Sequence, residues 1–200
     1  MGPDHSQLEI YEESKHGLMF SAQERLLNLD ARPNALTTRD MFVPTCATCH
    51  MSGLNGQKVT HDPSDRLSYN LADAITKARP NKERAQAQMQ QICNQCHTRP
   101  LIDRVYADAD KVVANTNARV QEASDLMTSL RKDGVLTSKP FTQPIDFVYF
   151  DLWHYDGRTS KHGAFMGGAD FVQLHGNYPM LARTVELRAQ AEALRLRHGR

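Results

Sequence analysis

The chain has 200 residues, 40% of them hydrophobic, which is enough for one domain with a real core or for part of a larger one. Its 24 Lys and Arg residues nearly balance 23 Asp and Glu residues, so we expect neither a nucleic acid nor an anionic membrane surface as partner. No apolar run approaches the roughly 18 residues of a membrane span, and the N-terminus has neither the basic start nor the apolar stretch of a secretory signal.

Helices joined by loops with proline and glycine are predicted along the whole chain, and few residues are strand-like. The predicted fold class is therefore mainly α. In the first hundred residues the predicted helices cover 5–16 (ended by Gly17), 21–30, 66–78 and 82–97. Turn-rich segments are predicted over 33–44 and 53–63, and the second of them presents His61.

The second half is predicted to contain two longer helices. From Val105 to a stop at Gly134, apolar or small side chains recur at alternating steps of three and four, which predicts one long helix with a narrow apolar stripe. The stripe consists of Ala109, Val112, Thr116, Val120, Ala123, Met127 and Leu130. It could face the core or form a packing seam between subunits. A last, exposed packing helix is predicted over residues 180–197.

All four cysteines lie in two Cys-x-x-Cys-His units, at residues 46–50 and 93–97. This pattern is the attachment signature of a c-type haem. Two thiols three residues apart on one helical turn can each form a thioether with one porphyrin vinyl group, and the next histidine supplies an axial nitrogen. We therefore predict two covalently attached haems c. Their attachment residues are Cys46, Cys49, Cys93 and Cys96, and their proximal iron ligands are His50 and His97.

Two other uses of paired cysteines were considered. A four-cysteine zinc ribbon separates its pairs by about 15–20 residues, whereas 43 residues lie between Cys49 and Cys93. A thioredoxin-like dithiol would need a strand–helix setting that the sequence lacks. Neither use explains a histidine directly after each pair, so haem attachment is the better interpretation.

The chain has nine histidines, and two haems can use at most four. His198 is read as solvated, in the C-terminal tail. The remaining candidates for distal iron ligands are His5, His16, His61, His154, His162 and His175. Each alone could equally be a surface histidine, but as a group ligation is the better interpretation, and some would serve haems outside this chain.

Two patterns among these histidines support ligation. The letters Ser-Lys-His-Gly occur at residues 14–17 and again at 160–163, and a glycine beside an axial histidine would let the backbone lie close to a porphyrin face. On a continuous helix His5 and His16 would share one face about 16 Å apart. They would therefore address two different haems.

Three blocks resemble the octahaem hydroxylamine oxidoreductase family, and the likeness covers essentially the whole chain. They are Met-Gly-Pro-Asp-His onward over residues 1–17, residues 46–53 with Thr-His-Asp-Pro at 60–63, and residues 153–163 with 164–170. In that family the first block continues an earlier Cys-x-x-Cys-His. The resemblance thus implies that Met1 is internal and that this is a C-terminal portion carrying the last two haems. A genuine two-haem protein is the alternative.

The resemblance implies a periplasmic multihaem cytochrome c whose haems form much of the core. A catalytic haem oxidises hydroxylamine or hydrazine, or reduces nitrite, and the others exchange electrons with a partner cytochrome. Neither motif here resembles the catalytic one. This chain is therefore expected to be an electron-transfer segment, completed by an upstream haem-bearing part or a partner subunit. A stand-alone dihaem carrier or a docking subunit is the alternative.

The same resemblance implies a homotrimer in which a tyrosine bonds to the catalytic haem of a neighbouring subunit. Tyr155 and Tyr178 are candidates for that crosslink, although packing against a porphyrin edge is favoured for each. Residues 1–100 are predicted to bind the haems, and residues 101–200 to supply distal histidines and subunit packing, within one continuous domain that is truncated at its N-terminus.

Overall fold

The computed structural model of the protein describes residues 5–67, 75 and 80–199. Within them every regular element is helical and no strand occurs. This confirms the predicted mainly α fold with long C-terminal helices. In the same described ranges, no helix combines the length and the apolarity that crossing a bilayer requires.

The α-helices are α1 (Gln7–Glu13), α2 (Lys15–Gln23), α3 (Cys46–His50), α4 (Lys82–Cys93), α5 (Arg99–Lys132), α6 (Pro144–Asp151), α7 (Gly157–Phe165), α8 (Ala169–Val172) and α9 (Tyr178–His198). Two 3-10 turns cover Glu24–Leu26 and Leu54–Gly56, and two π-helical turns cover Leu152–Asp156 and Gln173–Asn177. The predicted helix over 66–78 falls almost entirely outside the described residues.

The predicted helix over 5–16 was wrong, because Ser14 divides it. Ser14 has extended backbone angles and caps α2, and its Oγ accepts a hydrogen bond from the Gly17 amide at 3.1 Å. Serine is a preferred helix N-cap, and here that local preference overrides the apolar periodicity. Gly17 lies inside the first turn of α2 instead of ending a helix. The predicted helix over 21–30 is also wrong, since α2 ends at Gln23 and only a 3-10 turn follows.

The long helix α5 packs within the chain, mainly against α7 and also against α6 and α9. Its buried face contains Ile102, Tyr106, Ala109, Thr116, Val120, Ala123, Met127 and Leu130. The predicted stripe therefore faces the protein's own core and is not a seam between subunits. It starts at Ile102, because Val105 is 42% exposed.

Buried apolar side chains form two clusters of unequal size. The larger one joins α5, α6 and α9 and includes Val120, Leu130, Ile145 and Leu187. The smaller one comprises Leu27, Leu36, Met41, Leu54 and Ile92, with Cys49 packed against it. The protein core is thus concentrated in the C-terminal half, and the half that holds the cysteines has little apolar core of its own.

Candidate functional site

The first Cys-x-x-Cys-His unit forms a single capped helical turn, α3. Thr45 is its N-cap: the Thr45 hydroxyl accepts from the Thr48 amide at 3.3 Å, and the Thr48 hydroxyl accepts from the Thr45 amide at 3.1 Å. This reciprocal capping box fixes the start of the turn. Cys46 is exposed, while Cys49 and His50 are half-buried. Both thiols and the imidazole therefore belong to one turn, as the spacing predicts.

The imidazole of His50 is held in the form that can bind a metal. Its Nδ1 lies 3.2 Å from the carbonyl oxygen of Pro63, which can only accept, so Nδ1 carries the hydrogen and Nε2 keeps its lone pair. Burial lowers the pKa of His50, and the charge of Arg66 lowers it further, against the opposing effect of the Pro63 hydrogen bond. Neutral imidazole is the ligand form.

Arg66 ties this turn to the loop that follows it. The side chain is 4% exposed, and its guanidinium donates to the Cys49 carbonyl at 3.0 Å, to the Ser52 carbonyl at 2.9 Å, and to the Lys58 carbonyl. Arg66 was not predicted as a functional residue. A single arginine after Asp-Pro-Ser-Asp has no pattern that distinguishes it from a surface residue.

The second unit continues the end of α4 by one turn. Helix α4 ends at Cys93, whose carbonyl accepts from the amides of Cys96 at 3.1 Å and His97 at 2.9 Å. The ring centre of His97 lies 5.9 Å from that of His16, with the rings 37° apart. Although His16 is exposed overall, desolvation lowers its pKa, and the charge of His97 lowers it further.

The separation of His16 and His97 fits two axial ligands of one iron. A metal–imidazole nitrogen bond is about 2 Å long and the ring centre lies about 1 Å further on, so two axial imidazoles on one metal have ring centres about 6 Å apart. Of the predicted distal candidates, His16 is therefore the one that the fold brings opposite a proximal histidine. The break at Ser14 sets this position, because His16 belongs to α2 and not to the helix that follows His5.

The two attachment turns lie side by side, since α3 packs against α4. Burial, followed by the charges of Cys93 and Cys46, raises the pKa of Cys49 to about 12. Burial also raises the pKa of Cys93 and of Cys96. Redox dithiols and zinc sites need easily ionised thiols. Among the described residues, no three His, Cys, Asp or Glu side chains converge as a metal-ion site. The arrangement thus fits porphyrin attachment better than either alternative.

His5 and His162 form a second histidine pair, with ring centres 6.3 Å apart. His162 is buried in α7, and its Nδ1 lies 3.2 Å from the side-chain amide of Gln7. Beside it, the buried Lys161 donates to Asn117 on α5 at 3.1 Å. Neither histidine belongs to a Cys-x-x-Cys-His unit, so this pair matches the expectation that some histidines serve haems outside this chain, which stays a prediction.

His154 and His175 each occupy the middle of a π-helical turn. His154 stacks on Phe150 with ring centres 4.5 Å apart, and His175 contacts Phe171 at the same ring-centre distance with the rings tilted by 35°. In each turn a backbone amide reaches the carbonyl five residues earlier; the amide of Gly157, for example, donates to Leu152. Such turns are frequent at functional sites. These turns could not be predicted from the sequence, because one shifted hydrogen bond leaves composition unchanged.

The remaining candidates lie apart from the cysteines. His61 is at the edge of a cavity of about 340 Å³ lined by Leu36, Met41 and Met51, among others. Tyr155 sits beside His154 with ring centres 5.2 Å apart. Tyr178 is the first residue of α9 and 68% exposed, which makes it the more accessible of the two tyrosines. The role of each stays a prediction.

The glycines beside the histidines are needed for packing within the protein. A Cβ at Gly17 would lie 1.9 Å from the carbonyl oxygen of Tyr11, and one at Gly163 would lie 2.3 Å from a methyl group of Val172. These positions need glycine so that α1 can approach α2 and α8 can approach α7. Whether the same glycines also let the backbone lie close to a porphyrin stays a prediction.

An all-helical fold with two adjacent Cys-x-x-Cys-His turns and neutral imidazoles beside them defines a c-type multihaem cytochrome. The chain belongs to the multihaem cytochrome family described as seven times Cys-x-x-Cys-His, whose model matches residues 1–144. Covalent haem c is the cofactor that this family implies.

Two solved structures are similar over the whole chain. One is a reducing HAO-like protein complex of Kuenenia stuttgartiensis, with a TM-score of 0.86 and 18% identity over 100% of this chain and 55% of that chain. The other is described as a hypothetical multihaem protein, with a TM-score of 0.85 and 17% identity over 100% of this chain and 54% of that one. At these identities the likeness shows the fold. The chain spans about half the length of either protein.

Proposed function

We propose that this chain is an electron-transfer segment of a hydroxylamine oxidoreductase-like multihaem cytochrome c. It relays electrons to or from a catalytic haem outside this chain that oxidises hydroxylamine or hydrazine, or reduces nitrite. The observation that carries the proposal is that the fold sets two attachment turns side by side and brings His16 opposite His97. Similarity to a structure described as a reducing HAO-like complex supports the choice of family member.

The side chains of this protein have limited roles in that function. The four cysteines would hold two porphyrins, His50 and His97 would supply proximal nitrogens, and the Pro63 carbonyl fixes the tautomer of His50. Haem iron supplies one-electron redox chemistry when bound. If the imidazoles of His16 and His97 both bound one iron, that iron would have no open position for substrate, and it would serve electron transfer.

We also propose a location, an oligomeric state and partners for the chain. We place the protein in the periplasm, as a homotrimer with a cytochrome as redox partner, and some of the six distal candidates bind haems outside this chain. The described histidine pair His5 and His162 supports this, because neither residue follows an attached cysteine.

A stand-alone dihaem carrier is the second candidate, and the same His16–His97 pair favours it, because this chain alone supplies both ligands of that iron. A carrier must also supply a distal histidine for the iron of His50. The two candidates therefore differ in whether both haems of the isolated chain are six-coordinate.

The test is to mature the chain in a periplasm with a cytochrome c assembly system and to measure haem by pyridine haemochrome and intact mass. We expect two haems per chain, and one in a variant with Cys93→Ser and Cys96→Ser. A chain without attached haem would exclude the proposed function. Catalytic turnover of hydroxylamine by the isolated chain would exclude its role as a relay, because the proposal puts the catalytic haem outside this chain.

A further inference from the structure

Arg66 forms no salt bridge with the described residues, although the charge of the neighbouring Asp65 acts on it through space. Its three hydrogen-bond partners are backbone carbonyl oxygens, those of Cys49, Ser52 and Lys58. The carboxylate of the neighbouring Asp65 instead accepts a hydrogen bond from Thr60 at 2.7 Å. A buried guanidinium whose hydrogen-bond acceptors are neutral carbonyl groups keeps its positive charge, and its field is weakly screened.

That charge lies close to the proximal ligand of the first attachment turn. Arg66 binds the carbonyl of Cys49, the residue directly before His50. The same loop contributes Pro63, whose carbonyl accepts from His50 Nδ1. The loop thus fixes the imidazole and brings a fixed charge beside it.

The second attachment turn has a different charge environment. Arg99, two residues after His97, is exposed and paired with Asp103 at 2.8 Å. An exposed, paired charge is screened by solvent and contributes little. The first turn therefore has a buried, weakly screened positive charge beside it, and the second turn has an exposed, screened one.

We propose that Arg66 is a positioning residue that also raises the reduction potential of the haem attached at Cys46 and Cys49 above that of the haem attached at Cys93 and Cys96. The inference rests on the proposed function, since it needs both haems. Reduction adds one electron from the reductant and lowers the charge at the iron by one, so a nearby fixed positive charge favours the reduced state. Electrons would then pass from the second haem to the first.

The test is an optical redox titration of the matured chain and of three variants, Arg66→Lys, Arg66→Gln and Arg66→Met. We expect Arg66→Gln to shift the oxidised-to-reduced ratio of one haem about tenfold toward oxidised at fixed potential, which is 59 mV for a one-electron couple. Arg66→Met should give the same shift and Arg66→Lys should keep most of the wild-type potential. The variant with Cys93→Ser and Cys96→Ser retains only the first haem. Its titration therefore shows which of the two reduction potentials belongs to that haem.

Arg39→Gln is the matched control, because it removes one exposed arginine and should leave both potentials unchanged. An unchanged potential in Arg66→Gln with both haems attached would overturn the inference, and so would a shift in Arg66→Lys equal to that in Arg66→Gln. If neither neutral variant matures, Arg66→Lys decides alone: a retained potential supports the role of charge, and a lost one assigns the effect to the three hydrogen bonds. A wild-type chain without haem would instead contradict the proposed function.

Discussion

His16 and His97 come from distant parts of the sequence, yet their imidazole ring centres lie 5.9 Å apart. Substituting His16→Ala should remove one axial ligand of the second haem and open that iron to small ligands. We expect a carbon monoxide difference spectrum that gains about one haem equivalent relative to the wild type. His198→Ala, in the exposed end of α9, is the control and should leave the spectrum unchanged. An unaltered spectrum in His16→Ala would show that another residue binds this iron.

Asp40 provides a pH-dependent contribution to stability near the first attachment turn. Hydrogen bonds from the Thr37 side chain, from Asn28 and from the Thr37 backbone lower the pKa of Asp40 below its usual 3.8. A lowered folded-state pKa means stabilisation above 3.8 that is lost as the pH falls through the folded value. Asp40→Asn should therefore reduce the thermal unfolding midpoint near pH 7, and the difference from wild type should shrink as the pH falls below 3.8.

Asp30→Asn is the control for this pH dependence, since Asp30 is exposed in the same segment. Its unfolding midpoint should follow that of the wild type at every pH. A difference between Asp40→Asn and wild type that stays constant down to the lowest pH would contradict the assignment.

For individual residues, the sequence predicts which cysteines and histidines form the attachment motifs, but not which side chains lie around them. The cysteines and their histidines follow from a five-residue motif, because attachment chemistry needs that spacing. Arg66 and the pairing of His16 with His97 depend on where distant loops meet. A single arginine or histidine carries no local signal of such contacts.

Helix α5 shows how far a periodic pattern determines an element. Val120 is fully buried on it and Val105 is 42% exposed on the same helix. Val120→Ala should lower the free energy of unfolding by about 2 kcal/mol through lost burial and a residual cavity, while Val105→Ala should change it by less than about 0.5 kcal/mol. Urea unfolding monitored by circular dichroism measures both. Equal effects would show that this end of α5 is covered in solution.

The stripe of α5 was predictable because seven of its positions repeat with the helical period, and six of the seven are buried. The break between α1 and α2 was not, because the apolar pattern runs through it and only the cap at Ser14 ends it. The π-helical turns were also missed. Their residues, such as Trp153 and Leu174, suit an α-helix equally well, so only the tertiary fold selects the wider turn.

For the whole molecule, the unequal cores predict that haem matters most in the N-terminal half. A variant with all four cysteines changed to serine should keep hydrogen-exchange protection in α5 and α9, which share the larger apolar cluster. Protection over residues 24–67 should fall, because the smaller cluster around Leu36 and Ile92 has few buried side chains. Exchange measured by mass spectrometry on matured and variant chains tests this. Equal loss in both halves would show that the haems stabilise the fold as one unit.

The π-helical turn Leu152–Asp156 sets the direction in which the following helix faces. Each such turn accommodates one residue more than an α-turn, and one residue corresponds to about 100° of rotation. Deleting a single residue there would restore a continuous α-helix and rotate His162 away from His5 without altering any ligand. The direction in which these histidines point thus depends on the number of residues in the turn. Inserting or deleting one residue there would turn a histidine toward a different porphyrin without changing its identity.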